Sequence, residues 1–175
     1  MSLKNERLIS NLNNCGAVMY GDFTLASGKQ SKYYIDIKQA ITDPNTLSMI
    51  AAQMSDLVKK MQVNKVAGVE LGGVPLATLV SAKSHLPLLI VRKEDKRYGT
   101  KGRFIGTLNP EDNVVLIEDV TTSGGSVVNA IEVIRNTGAT VKYVICVVDR
   151  EEGAKAKLKT IDVDLYPLVY ANDLM

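Results

Sequence analysis

The chain has 175 residues, 46% of them hydrophobic, which is enough for one domain with a sizeable core. Its 21 Lys and Arg residues nearly balance its 19 Asp and Glu residues, so bulk charge gives no basis for a nucleic-acid or membrane surface. Because Cys15 and Cys146 lie far apart and the first residues form no long apolar segment, we expect a cytoplasmic protein without disulfides or membrane spans.

The first predicted elements are a hairpin and a helix. Residues 17–38 place a Ser-Gly-Lys turn between strand-like flanks, which favours a small antiparallel hairpin packed on a main sheet. Asp43 and Pro44 then have the pattern of a helix N-cap followed by proline at the first helical position. Apolar residues recur at helical spacing as far as Met61, so an amphipathic helix is predicted after the hairpin.

Short apolar runs then alternate with helical patterns. Continuous apolar runs are typical of strands buried on both faces, so the alternation predicts an α/β fold with a mainly parallel sheet flanked by helices. The Lys-, Arg- and Gly-rich residues 93–107 predict a mobile loop. The predicted strands are 65–70, 88–92, 114–118 and 141–149, and the predicted helices start near Pro75 and near Ser126, the second ending at Gly138.

The stretch "VVLIEDVTTSGGS", residues 114–126, joins an apolar run to two acids and a Thr/Ser/Gly loop. Ligands of open parallel sheets bind at the carboxyl ends of strands, and glycines, hydroxyls and a helix N-terminus there suit a phosphate monoester. Glu118 and Asp119 would repel that phosphate, so they suit ribose hydroxyls or a magnesium ion. A plain strand-to-helix turn with solvated acids would have the same pattern.

This stretch resembles the phosphoribosyl pyrophosphate (PRPP) motif of type I phosphoribosyltransferases. The resemblance implies that the two acids contact the ribose hydroxyls, that the loop binds the 5-phosphate, and that Thr122 donates to the base. The PRPP-binding residues implied in this way are Glu118, Asp119, Val120, Thr121, Thr122, Ser123, Gly124, Gly125 and Ser126.

Further stretches resemble the orotate phosphoribosyltransferases of this family, in family order. They are "FTLASGKQSKYYID" at 23–36, "GVELGGVPLAT" at 68–78, "VRKEDKRYGTKG" at 91–102 and "VVDREEGAK" at 147–155. The resemblance implies that Lys29, Tyr34 and Arg150 bind substrate, with Arg150 on the orotate carboxylate. It implies Arg92, Lys93, Lys96, Tyr98 and Asp119 as catalytic residues.

The resemblance also implies the reaction and the assembly. The 5-phosphoribosyl group would pass from PRPP to orotate, giving orotidine 5'-monophosphate and pyrophosphate in pyrimidine biosynthesis. Mg²⁺ is the implied cofactor, and no protein side chain is assigned as its direct ligand. A single domain over 1–175 would carry a hood near 1–40, with a C-terminal contribution, and a core near 41–165. The implied homodimer shares its active sites, through a 92–102 loop that closes over the neighbouring subunit, and no nucleic acid or membrane is a partner.

Three positions depart from the pattern of bacterial members. Ala26 and Gly72 stand where lysine is frequent, and Tyr98 stands where histidine is frequent. Lys29 or Lys32 could supply the missing cation, or both could be surface residues.

Arg150 and the charged loop each allow a second interpretation. Arg150 could pair with Glu151 or Glu152, and the loop over 93–107 could be a solvated turn. The function also has two rivals. A purine or uracil phosphoribosyltransferase is the rival enzyme, and a PRPP-sensing regulator that binds nucleic acid is the rival from another class.

Overall fold

The computed structural model describes residues 3–24, 28, 30–94 and 102–175. Within these ranges, strands and helices alternate along most of the chain. The helices are α1 (Leu3–Asn14), α2 (Ile37–Ala40), α3 (Pro44–Val58), α4 (Gly73–Ser84), α5 (Gly125–Arg135) and α6 (Ala154–Lys159), with a final 3₁₀ turn at Ala171–Asp173. The strands are β1 (Val18–Thr24), β2 (Gln30–Ile35), β3 (Lys65–Val69), β4 (Leu88–Val91), β5 (Phe104–Ile105), β6 (Asn113–Thr121), β7 (Thr140–Asp149) and β8 (Asp164–Tyr170).

A six-stranded sheet with the order β5-β4-β3-β6-β7-β8 forms the centre of the fold. All neighbouring strands pair in parallel except β5, which runs antiparallel to β4 at the edge. The predicted α/β class with a mainly parallel sheet is confirmed. The short strand β5 lies inside residues 93–107, which were predicted as loop throughout, because two residues are too few for a periodic signal.

Two apolar layers cover the sheet, one on each face. Successive residues of β6 alternate between them: Val115 and Ile117 join the layer with α1, α3 and α4, while Val114 and Leu116 join the layer with α5 and α6. Both layers are apolar, so the strands read as continuous hydrophobic runs in the sequence.

The central strand β6 extends three residues beyond its predicted end, to Thr121. The prediction placed that end at Glu118, because charged residues seldom continue a buried strand. Pairing with β7 overrides this preference, since Val120 is paired with Val148 and Thr121 with Asp149. Glu118 and Asp119 are therefore strand residues fixed by a hydrogen-bonded ladder, and not members of a loop.

The predicted hairpin is confirmed as a separate two-stranded antiparallel sheet of β1 and β2. The end of the chain packs against it, where the Tyr20 hydroxyl donates to the Leu174 carbonyl oxygen at 3.4 Å. Leu174 is buried in the same layer as Leu8 and Leu12 of α1. The subdivision into a hood near 1–40 and a core near 41–165 stays a prediction.

The helix boundaries follow local capping chemistry. Helix α3 begins at Pro44 as predicted, and an oxygen of the Asp43 carboxylate accepts the Thr46 N–H at 2.7 Å. Helix α5 ends at Arg135 and not at Gly138.

Within the described ranges, the longest helix has 15 residues and no helix is long and apolar enough to span a bilayer.

A buried ion pair ties the segment before β6 to the start of β3. Lys65 Nζ donates to Asp112 Oδ2 at 2.6 Å and to the Thr107 carbonyl oxygen at 2.5 Å. The same Asp112 oxygen accepts the Asn109 N–H at 2.7 Å. Only 5% of the Lys65 side chain and 10% of the Asp112 side chain are exposed, so loss of either partner would leave a buried charge without compensation.

Lys65→Met is therefore expected to lower the free energy of unfolding by roughly 3 kcal/mol, because it leaves Asp112 buried without its cation. Urea unfolding at one fixed protein concentration measures this. Lys159→Met is the matched control, since Lys159 pairs with Asp164 at the surface and its loss should change stability little. Equal stability of the two variants would contradict a structural role for the buried pair.

Candidate active site

A cleft of about 570 Å³ opens at the carboxyl ends of β3 and β6. The strand ends, the start of α5 and the second strand of the hairpin all contribute to its wall. Most of the substrate-binding residues predicted from the sequence lie in this one wall. Its lining residues are Tyr34, Ile35, Lys38, Glu70, Leu71, Gly72, Lys93, Glu118, Asp119, Val120, Thr121, Thr122, Ser123, Gly124, Gly125, Ser126, Val127 and Arg150.

The two acids of the cleft lie in different electrostatic environments. Glu118 is 7% exposed, and burial, reinforced by the neighbouring Asp119, raises its pKa well above the ordinary carboxyl value. Its Oε1 accepts the Asp119 N–H at 3.1 Å. Asp119 is more exposed, and its Oδ1 accepts the Val120 N–H at 2.8 Å. Asp119 is thus the more accessible of the two acids for a ligand.

The Asp119 carboxylate lies against a glycine and faces a lysine. A Cβ atom at Gly72 would lie 2.0 Å from Asp119 Oδ2, so no side chain fits at position 72 while the carboxylate keeps this orientation. Lys38 Nζ, at the end of the hairpin segment, lies 3.4 Å from the same oxygen and 3.7 Å from Asp36 Oδ1. Burial lowers the pKa of Lys38, but Asp119 and Asp36 outweigh it and leave the pKa above its ordinary value.

The loop after β6 is shaped to bring backbone N–H groups to a ligand. Gly124 has φ +77°, a conformation that favours glycine, and a Cβ atom there would lie 3.1 Å from the Ala154 Cα atom. The Ala154 N–H donates to the Thr122 carbonyl oxygen at 3.1 Å, which fixes the outer side of the loop. Helix α5 begins at Gly125 without a side-chain cap, and Gly125 and Ser126 line the cleft, so the free N–H groups of its first turn suit an anion.

Thr121 differs from the other loop hydroxyls. Its Oγ1 donates to Asp149 Oδ1 at 3.2 Å and lies 3.6 Å from the buried thiol of Cys146, whose pKa burial raises. The sequence offered this hydroxyl as a phosphate donor, together with those of Thr122, Ser123 and Ser126. In the structure it links β6 to β7, so the proposed phosphate contact would fall to the other three hydroxyls.

Arg150 reaches the cleft from the end of β7, and neighbouring groups hold its side chain. Its Nε donates to Glu152 Oε1 at 2.8 Å, and its Nη2 donates to Ser31 Oγ at 3.3 Å. The guanidinium carbon also lies 4.6 Å from the centre of the Tyr33 ring. The pairing with Glu152 is therefore present, and it orients a guanidinium that also lines the cleft.

The predicted catalytic loop is only partly within the described residues. Lys93 lines the cleft, and its N–H donates to Glu70 Oε2 at 3.4 Å. Arg92 is not among the lining residues, and its Nη1 donates to the Gly102 carbonyl oxygen at 3.2 Å. The predicted residues Lys96, Tyr98 and Lys29 lie outside the described residues, as does Ala26.

Several residues of the cleft wall were assigned no site role from the sequence, among them Ile35, Lys38, Glu70, Leu71 and Val127. Lys38 is 81 positions from Asp119, and no local pattern links the two. Glu70 and Leu71 belong to the quoted "GVELGGVPLAT" stretch, but neither was assigned a role. The offered substitute Lys32 forms an ion pair with Asp22 on the hairpin, and it does not line the cleft. The hairpin and β6 meet only in the folded chain, so residue spacing could not reveal these contacts.

Comparisons with known proteins agree with this geometry. A family model for the phosphoribosyl transferase domain matches residues 39–165. An orotate phosphoribosyltransferase of Methanosarcina acetivorans is 67% identical over 172 residues, which cover 98% of this chain and 92% of that protein.

Solved structures give the same result for the fold. The orotate phosphoribosyltransferase from Aeropyrum pernix superposes with a TM-score of 0.81 at 31% identity, covering 95% of this chain and 96% of that one. The Mycobacterium tuberculosis enzyme in complex with PRPP superposes with a TM-score of 0.78 at 25% identity, covering 98% of both chains. The chain therefore belongs to the phosphoribosyltransferase family, and within it to the orotate phosphoribosyltransferases.

Proposed function

We propose that this protein transfers the 5-phosphoribosyl group of PRPP to orotate, giving orotidine 5'-monophosphate and pyrophosphate. The observation that carries the proposal is that one cleft joins Asp119, the glycine loop at 122–126, Lys93 and Arg150. These groups supply what PRPP and orotate require: acceptors for ribose hydroxyls, N–H donors for a phosphate, and cations for pyrophosphate and carboxylate.

Leaving-group stabilisation is the main chemical demand of this reaction. The bond between C1 of the ribose and pyrophosphate breaks with its electrons on pyrophosphate, while a bond forms from C1 to N1 of orotate, which gives up its proton. Lys93 would stabilise the charge that grows on pyrophosphate. Asp119 and the loop would hold the two ends of the ribose phosphate, so that C1 stays between the leaving group and the base.

The residues present fit a magnesium ion that travels with the substrate. Among the described residues, no cluster of three or more His, Cys, Asp or Glu side chains could hold a metal ion alone. Mg²⁺ needs only one or two carboxylates when substrate phosphates supply further ligands. Asp119 is the carboxylate placed to join such a complex, and the bound ion would neutralise charge on pyrophosphate.

Base selection would depend on Arg150 and on the hairpin. The contacts of Arg150 with Glu152 and Ser31 fix the guanidinium plane before orotate binds, so little side-chain freedom would be lost on binding. Tyr34 of the hairpin also lines the cleft, and its ring centre lies 5.6 Å from that of Phe23. A base with a carboxylate would pair with this arginine, whereas a purine or uracil would leave it unpaired.

Loss of orotate absorbance on mixing the protein with orotate, PRPP and Mg²⁺ tests the activity, with adenine, hypoxanthine and uracil expected to be inert. Arg150→Ala is expected to lower kcat/KM for orotate by the equivalent of about 2 to 4 kcal/mol, because a charge-assisted contact is lost. Binding of PRPP by the same variant should stay near wild type and serves as the control. Turnover of a purine in place of orotate would overturn the assignment.

Glu118→Gln is expected to stabilise the protein while weakening PRPP binding. Because the pKa of folded Glu118 is raised above the ordinary value of 4.5, its ionisation opposes folding as the pH rises through and beyond that value. The gain in unfolding free energy should therefore be absent at acid pH and grow toward neutral pH. Urea unfolding across this range measures it, with the exposed Glu132→Gln as the control. A gain that did not depend on pH would contradict the buried, proton-retaining carboxyl.

We further propose a cytoplasmic homodimer in which the loop of one subunit completes the PRPP site of the other. The family resemblance of residues 91–102 supports this arrangement. Lys93 lines the cleft of its own chain, so the residues proposed to act across the interface are Lys96 and Tyr98. The loop carries many charges and few apolar anchors, and a phosphate-rich site on a neighbouring subunit would order it.

Lys96→Ala and Asp119→Asn should each be nearly inactive alone. After the two are unfolded together and refolded, half of the dimers should be hybrids, and each hybrid should carry one intact site. Activity should then recover to about a quarter of wild type for random pairing of equal amounts. Verified hybrid dimers that stay as inactive as their parents would show that the loop serves its own subunit.

A further inference from the structure

We propose that Lys38 is a positioning residue for PRPP, which holds the Asp119 carboxylate in the orientation that meets the ribose hydroxyls. The inference rests on the proposed function, since it concerns the same ligand. Its basis is the 3.4 Å contact between Lys38 Nζ and Asp119 Oδ2, together with the place of both residues in the cleft wall.

The fold brings Lys38 to this position from a distant part of the chain. Helix α2 is a single turn whose N-cap, Asp36, accepts the Gln39 N–H at 3.3 Å. Ile37 and Ala40 of this turn are fully buried, so they anchor it and leave Lys38 facing the cleft. The lysine backbone is therefore fixed, and its Nζ reaches a strand residue 81 positions away.

The Oδ2 atom of the Asp119 carboxylate must be held by a group outside strand β6. The Oδ1 atom is held by the Val120 N–H, whereas Oδ2 lies over Gly72, which has no side chain to hold it. Lys38 approaches Oδ2 from the hairpin side, and only 13% of the Asp119 side chain is exposed. The carboxylate thus has one oxygen fixed by the backbone and the other by a cation.

The glycine at position 72 makes this arrangement possible. Any Cβ atom at this position would lie 2.0 Å from Oδ2 of Asp119. The cation beside the carboxylate is supplied by Lys38 of helix α2. Gly72 thus leaves room for the carboxylate orientation in which Oδ2 pairs with Lys38.

Two other roles for Lys38 predict different behaviour. If Lys38 contacted the pyrophosphate directly, its loss would weaken pyrophosphate binding. If Lys38 served only the local pair with Asp36, its loss would leave every ligand unaffected, because Asp36 would still cap α2. A positioning role through Asp119 predicts an effect confined to ligands that carry the ribose.

Isothermal titration calorimetry of the full chain with PRPP, ribose 5-phosphate, pyrophosphate and orotate, each with Mg²⁺, separates these roles. Lys38→Gln should weaken PRPP and ribose 5-phosphate by about tenfold and leave pyrophosphate and orotate within about twofold. Lys38→Arg should restore most of the loss, since a guanidinium can also pair with Oδ2. The matched control is Lys159→Gln, an exposed lysine paired with Asp164 outside the cleft.

Weaker pyrophosphate binding by Lys38→Gln, or unchanged ribose 5-phosphate binding, would overturn the proposal. So would a melting temperature lowered well below that of Lys159→Gln with all four ligands weakened together, because that pattern belongs to a structural lysine. PRPP binding by the wild-type protein is measured before any variant is compared. If the wild-type protein bound no PRPP, the proposed function would itself be wrong.

Discussion

The pairing of β6 with β7 as far as Thr121 and Asp149 is the constraint on which the site depends. A buried strand normally ends before charged residues, but this pairing keeps Glu118 and Asp119 in strand β6 and fixes their backbone in the hydrogen-bonded ladder. It also sets where the chain leaves the sheet, and so where the glycine loop and the start of α5 lie. The Thr121 to Asp149 hydrogen bond joins the side chains at that same boundary. The end of strand β6 thus positions both the proposed acceptors for the ribose hydroxyls and the proposed N–H donors for the phosphate.

The two acids on that strand differ in role: Glu118 lowers the stability of the fold, whereas Asp119 is oriented to meet the proposed ligand. Glu118 is buried and has a raised pKa, so it lowers the stability of the fold at neutral pH. A buried acid with such a pKa is a candidate for a functional residue. Asp119 is oriented by groups from three separate segments: the Val120 N–H, the bare backbone of Gly72, and Lys38. Such preorganisation limits the side-chain freedom lost when a ligand binds.

Much of the sheet and the motif could be predicted from the sequence, because apolar runs and the Thr/Ser/Gly loop are local signals. The extra residues of β6 could not, since their strand geometry depends on a partner far along the chain. Lys38 was missed for the same reason, because its contact with Asp119 exists only after the hairpin segment folds against the sheet. The bond from the Thr121 hydroxyl to Asp149 could not be predicted either, because the loop sequence does not reveal which way a side chain points.

The central claim is that the loop at 122–126 receives the phosphate of a ribose phosphate whose hydroxyls face Asp119. Amide chemical shifts recorded while ribose 5-phosphate is added test this most directly, because they report each backbone N–H separately. The account predicts saturable shifts concentrated at Gly124, Gly125 and Ser126, and the same residues shifting at higher ligand concentration in Asp119→Asn. A second cavity lies elsewhere on the protein, and its lining includes Glu151, Lys155, Lys159 and Tyr170. Saturation without any shift at the three loop amides, or shifts centred on this second cavity, would contradict the claim.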